Sequence, residues 1–156
     1  MMNPDTTDMT PVKDLTDGDE VALARKATGF LTSFRWCVTV KESFLAFDCA
    51  DIIGVFLFRI EPRSIGVDNT LWVVVGDGPP AFLVCDAAPD WHCALQCYVR
   101  EMQRWVDAVR SGRGIEGVIP VNVPPTQKHA DMLSKRLGFI QDHFIDNKPL
   151  PGDHRQ

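Results

Sequence analysis

Between Leu71 and Cys85 the chain reads Leu-Trp-Val-Val-Val, then Gly-Asp-Gly-Pro-Pro, then Ala-Phe-Leu-Val-Cys. The two flanking runs are aliphatic, aromatic and β-branched, which suits a pleated, half-buried surface. The segment between them is made to turn. Gly76 and Gly78 accept positive φ, and Pro79 and Pro80 have no N–H to give to a ladder. A tight antiparallel hairpin is the structure this order of residues predicts. Gly76-Asp77-Gly78 also has the look of a phosphate-cradling loop. A P-loop, however, needs Lys followed by Ser or Thr and a helix opening at once, and neither is here.

The hairpin hands over to the clearest periodic signal in the chain. Asp90, after Pro89, has a carboxylate that can accept from free backbone N–H groups and so start a helix. Trp91, Leu95, Tyr98, Val99, Met102, Trp105, Val106 and Val109 then recur at three- and four-residue spacing, which at about 100° per residue forms one stripe. Gly112 and Gly114, with Arg110 and Arg113, make the stop. An aromatic stripe of this kind is far more often core than a cofactor box.

Upstream, residues 1–16 are polar, contain Pro4 and Pro11, and read as a disordered tail. Asp17 and Glu20 have capping-box spacing, and Leu23, Ala27, Phe30, Leu31 and Phe34 continue a helix over 18–33. Trp36, Val38 and Val40 alternate with polar neighbours as a half-buried strand does. Residues 42–51 fit either a strand or a helical face. Residues 52–60 are almost wholly apolar and predict a strand covered on both faces, with Phe56, Phe58 and Ile60 on one side and Val55, Leu57 and Arg59 on the other. Pro62, Gly66 and Asp68-Asn69 mark the loop into the hairpin.

Downstream, residues 115–125 carry Pro120, Pro124 and Pro125 around a short extended run, which predicts an irregular segment or an edge strand. Thr126 caps a last helix carrying Ala130, Leu133, Leu137, Ile140 and Phe144. Residues 147–156 read as a loose tail.

The resulting expectation is an α+β fold. It has an N-terminal helix, an antiparallel meander of three to four strands, and two C-terminal helices packed mainly on one face. Residues 17–146 are expected to form a single domain, with tails at 1–16 and 147–156.

Several function classes are disfavoured by composition. The formal net charge of −5 argues against a broad phosphate-binding surface, so no nucleic acid is expected as partner. No apolar run approaches the length of a membrane span, and no basic-then-apolar leader opens the chain. Five cysteines without a CxxC pair do not form a disulfide framework, and they point to a reducing, cytoplasmic setting.

Three constellations could carry chemistry. Cys85, His92, Cys93 and Cys97 are zinc-type ligands, and Cys93 and Cys97 stand one helical turn apart, on the side of the helix away from its apolar stripe. Their spacing matches no known zinc module, and cysteine also serves as a small hydrophobe. The same thiols would make a redox pair if Arg100 depressed their pKa values. Asp48, Asp51, Asp68, Asp77, Asp86 and Asp90 sit at strand ends and loops, where carboxylates serve as turn and cap residues as readily as acid–base pairs or metal ligands. Arg100 and Arg104 are like charges at i and i+4, an unfavourable pair unless Glu101, Asp107 or an anionic partner neutralises them. No Gly-x-Ser-x-Gly elbow supports a serine hydrolase.

The reading is therefore a small acidic cytoplasmic protein, not an enzyme, that acts by binding another protein as an adaptor, inhibitor or immunity-type protein, itself a monomer or homodimer. It needs no cofactor. Its signature would be an exposed apolar or aromatic patch. The alternative is a ligand or metal site, catalytic or sensory, at the hairpin–helix junction over 76–97. That site would be built from Asp77, Asp86, His92 and the cysteines, with zinc as the ion the set would take.

Overall fold

The computed structural model describes residues 4–62, 69–85 and 88–148; Asp68, Asp86 and the tail beyond 148 lie outside them. The chain divides into two compact units, Met1–Tyr98 and Val99–Gln156.

The first unit is a five-stranded antiparallel meander in the order β1-β2-β3-β4-β5, with helix α1 (Gly18–Thr32) and the opening of helix α2 (Trp91–Arg110). The strands are β1 (Thr10–Pro11), β2 (Cys37–Cys49), β3 (Ile53–Pro62), β4 (Thr70–Gly76) and β5 (Ala81–Val84). The predicted hairpin forms with register Leu71↔Val84, Trp72↔Leu83, Val73↔Phe82 and Val74↔Ala81. Gly76 takes φ +149°, and the N–H of Asp77 donates to the Ile52 carbonyl at 2.9 Å.

The sheet exceeds the three to four strands expected because Thr10 and Pro11 pair with Leu45 and Phe44 along the outer edge of β2. A two-residue strand has no readable period, and its proline is tolerated only because this is an edge. Part of the segment read as a tail is therefore structured, and Val12 and Leu15 pack against the core.

The ambiguous 42–51 segment is strand as far as Cys49, and its ambiguity has a physical origin. Register shifts interrupt the β2–β3 ladder between Cys37 and Thr39, Val40 and Glu42, and Leu45 and Phe47. Each inserted residue sends the side chains that follow to the other face and destroys the period of two. Leu45 thus opposes Phe56, whereas Phe47 opposes Val55 on the reverse face.

Asp17 caps α1, its carboxylate accepting from the N–H groups of Asp19 and Glu20 at 3.0 and 3.1 Å. The helix lies over β2, β3 and β4. Leu23, Ala24, Ala27 and Leu31 bury against Leu45, Phe56, Phe58, Ile60, Leu71, Val73 and Val75. The opposite face is buried as well: Val55, Leu57 and Trp72 are each 0% exposed. Trp72 Nε1–H donates to the Ala88 carbonyl at 2.8 Å, and the Tyr98 hydroxyl donates to the Pro79 carbonyl at 2.6 Å. Arg59 lies on this face and ion-pairs with its cross-strand neighbour Glu42 at 3.2 Å.

The second unit holds the remainder of α2 and helix α3 (Gln127–Ile140), which runs on into a π-helical turn over Gln141–Ile145. Residues 115–125, expected as irregular or edge strand, form turns and bends without a ladder. The Arg110 guanidinium meets the Asp131 carboxylate at 2.9 Å and holds its pKa below the ordinary carboxylate range. No helix among the described residues is long and apolar enough to cross a membrane.

Candidate functional site

The residues expected to form a ligand or metal centre differ in burial. Cys85 is buried. Cys97, placed by the helical wheel on an outward face, is buried too, because the 91–98 segment of α2 is enclosed on more than its apolar stripe. Cys93 is half-buried, and its backbone N–H donates to the Asp90 carboxylate at 2.8 Å, closing the first turn of α2. The His92 ring is half-buried and edge-on to Trp91, with centroids 5.7 Å apart. Asp77 is exposed in the hairpin turn, and Asp86 lies outside the described residues. Among the described residues, no three or more His, Cys, Asp or Glu side chains are grouped so as to hold a metal ion.

The thiol shifts run upward. Burial pushes the Cys93 thiol up, and the Asp90 carboxylate beside it adds to the shift, where a reactive thiol needs the opposite. Burial likewise raises Cys37 and Cys49. The two arginines marked as an interface are both served by Glu101, at 3.9 Å from Arg100 and 3.3 Å from Arg104. The like-charge pair therefore has its counter-ion on the same helix.

One carboxyl pair was not anticipated. Glu20, read as the second half of a capping box, instead hydrogen-bonds the Asp48 carboxyl. Its pKa is raised, first by desolvation and then by Asp48. No spacing rule links residue 20 to residue 48; α1 and the far end of β2 bring them together.

The feature that stands out is aromatic. Phe34 contacts Phe30 edge-on at 5.2 Å, stacks on Trp36 at 5.2 Å and meets Phe82 edge-on at 5.2 Å; Trp36 and Phe82 are 5.1 Å apart. All four rings are only half-buried. Their position follows from where α1 stops. The helix covers β2 to β4 but leaves the outermost strand β5 short of a lid. On β5, Ala81 and Leu83 point to the buried face, whereas Phe82 and Val84 share the α1 side, with Val84 42% exposed. A rim of aromatic and aliphatic side chains thus borders the outer edge of β5, which pairs with no other strand among the described residues.

In the sequence, Phe30 and Phe34 passed as helix core and Phe82 as strand interior. The one local clue is that Phe34 and Trp36 continue the aromatic run past the helix end at Thr32. Comparison with family models, curated proteins and solved structures returns no match for this chain.

Proposed function

We propose that this protein is a non-enzymatic binding module that docks another protein on the β5 edge and the aromatic rim of Phe30, Phe34, Trp36, Phe82 and Val84. The observation that carries this reading is the coincidence of two unfinished surfaces at one place. An edge strand offers unpaired backbone donors and acceptors, and β-strand addition uses them for affinity. Aromatic side chains beside the edge supply rigid contact area at low entropic cost, as interface anchors do.

The contrast between the sheet's two edges supports the same reading. β1 is two residues long and contains Pro11, both devices that blunt an edge. β5 holds Ala-Phe-Leu-Val, with no charge and no proline inside it.

The test is a photo-cross-linking side chain placed at Phe34 in the native host, with a second at exposed Met132 as control. The expected result is one protein captured in stoichiometric amount from position 34, absent from position 132, and lost when Val84 is changed to Lys. Equal capture from both positions, or capture indifferent to Val84→Lys, would refute the assignment.

A further inference from the structure

A cavity of about 280 Å³ opens in the first unit where the segment before β1, strand β2 and the start of α2 meet. Asp5, Asp8, Met9, Pro89, Asp90 and Trp91 line it, and among the described residues no Lys or Arg does. It lies at the opposite end of the strand order from β5, so nothing about it depends on the docking surface.

Its walls are preorganised. The Trp91 indole is stacked on Phe47, with centroids 4.2 Å apart and planes inclined by 6°. The bulge after Leu45 is what turns Phe47 to that side. The Asp5 carboxylate accepts from both the N–H and the hydroxyl of Thr7, which draws its pKa below the ordinary range and keeps it ionised. Asp90 is held by the N–H of Cys93.

Size and charge narrow the occupant. The cavity is at or below the lower end of those that take drug-sized ligands, so it suits a side-chain-sized group and not a nucleotide or a large cofactor. Three carboxylates repel anions. A hard metal ion needs oxygens converging on one point, and these carboxylates form no such group. A flat, weakly hydrated cation meets both kinds of wall: it stacks on an indole face and directs its N–H donors in its own plane to carboxylates.

We propose that this cavity binds a guanidinium group, presented by an arginine side chain of a peptide or by a free small molecule. The experiment follows the Trp91 indole N–H of the full chain by nitrogen-15 NMR, its resonance assigned by its disappearance in Trp91→Phe. Free arginine, N-acetylarginine amide, N-acetylcitrulline amide and tetramethylammonium are titrated in turn.

Saturable shifts with an arginine compound, no response to the uncharged citrulline analogue, and roughly tenfold weaker binding in Asp8→Asn and in Asp90→Asn are expected from the loss of one charge-assisted contact. Asparagine is as good a helix cap as aspartate, so Asp90→Asn keeps the fold, and the rest of the spectrum verifies this for each variant. Tighter binding of free arginine than of the blocked amide assigns a small-molecule source; the reverse, or equality, assigns a peptide side chain. Absence of a saturable shift, citrulline matching arginine, tetramethylammonium binding more tightly than arginine, or folded Asn variants with unchanged affinity would each overturn the proposal.

Discussion

Replacing Gly76 by alanine is the sharpest available test of how the hairpin is built. Gly76 ends β4 at φ +149°, a backbone conformation that L side chains rarely adopt. A Cβ added there would lie 2.8 Å from both the Ile52 carbonyl carbon and the Ile53 Cα, and closer still to the Ile52 carbonyl oxygen. These are backbone atoms of the neighbouring strand, and the Ile52 oxygen is already engaged by the N–H of Asp77. Relief therefore requires moving the strand itself.

A non-glycine residue in such a conformation costs about 1–3 kcal/mol, and forcing a methyl group into packed surroundings costs about 1–3 kcal/mol more. Gly76→Ala should destabilise by roughly 2–6 kcal/mol, a large share of the roughly 5–15 kcal/mol that holds a domain together. Gly29 is the matched control. It lies inside α1, a Cβ there meets nothing within 4 Å, and its φ is ordinary. Gly29→Ala should stabilise by about 0.5–1 kcal/mol, the helix-propensity difference. Urea unfolding followed by far-ultraviolet circular dichroism reads both. A Gly76→Ala unfolding free energy within about 1 kcal/mol of the parent's, at unchanged m, would refute the reasoning.

Three further outcomes follow from the same structure. Trp72→Phe keeps the ring but leaves the buried Ala88 carbonyl without its donor and opens a small void; a loss of about 2–4 kcal/mol is expected in the same unfolding assay, and a neutral result would remove the weight placed on that bond. Cys93, its thiol held up by burial and by Asp90, should alkylate with iodoacetamide more slowly than free cysteine at neutral pH, measured peptide by peptide in a mass spectrometer, and Asp90→Asn should quicken it; a thiol faster than free cysteine would contradict the assignment. Glu20 has a raised pKa, so the folded state holds its proton more tightly than the unfolded chain does. The stabilisation is then complete below the ordinary carboxyl range and is lost as pH rises through the raised value. In Glu20→Gln the fall in Tm between acid and neutral pH should shrink, and a lower Tm than the parent at neutral pH would argue against a strained carboxyl pair.

The parts of the fold that could be read from the chain are those whose causes are local. Gly76 to Pro80 can only turn, so the hairpin from Leu71 to Val84 was evident. Asp17, Asp90 and Thr126 each accept from nearby backbone N–H groups, so all three helix starts were evident as well. The apolarity of Ile53 to Ile60 announced a strand buried on both faces, because no exposed strand tolerates it.

Tertiary structure decided everything that depends on register or on a meeting of distant residues. Three bulges in β2 erased its alternation and turned Phe47 toward Trp91. Thr10 and Pro11 became a strand only because β2 offered an edge. Glu20 met Asp48 because α1 crosses the sheet there. The half-buried rings of Phe30, Phe34, Trp36 and Phe82, and the carboxylates around Trp91, are ordinary residues in the chain, assembled only by the fold. Local order sets which elements form, since capping and turn chemistry act within a few residues; which surfaces are left uncovered is set by where α1 ends relative to β5, a distance that no short-range pattern encodes.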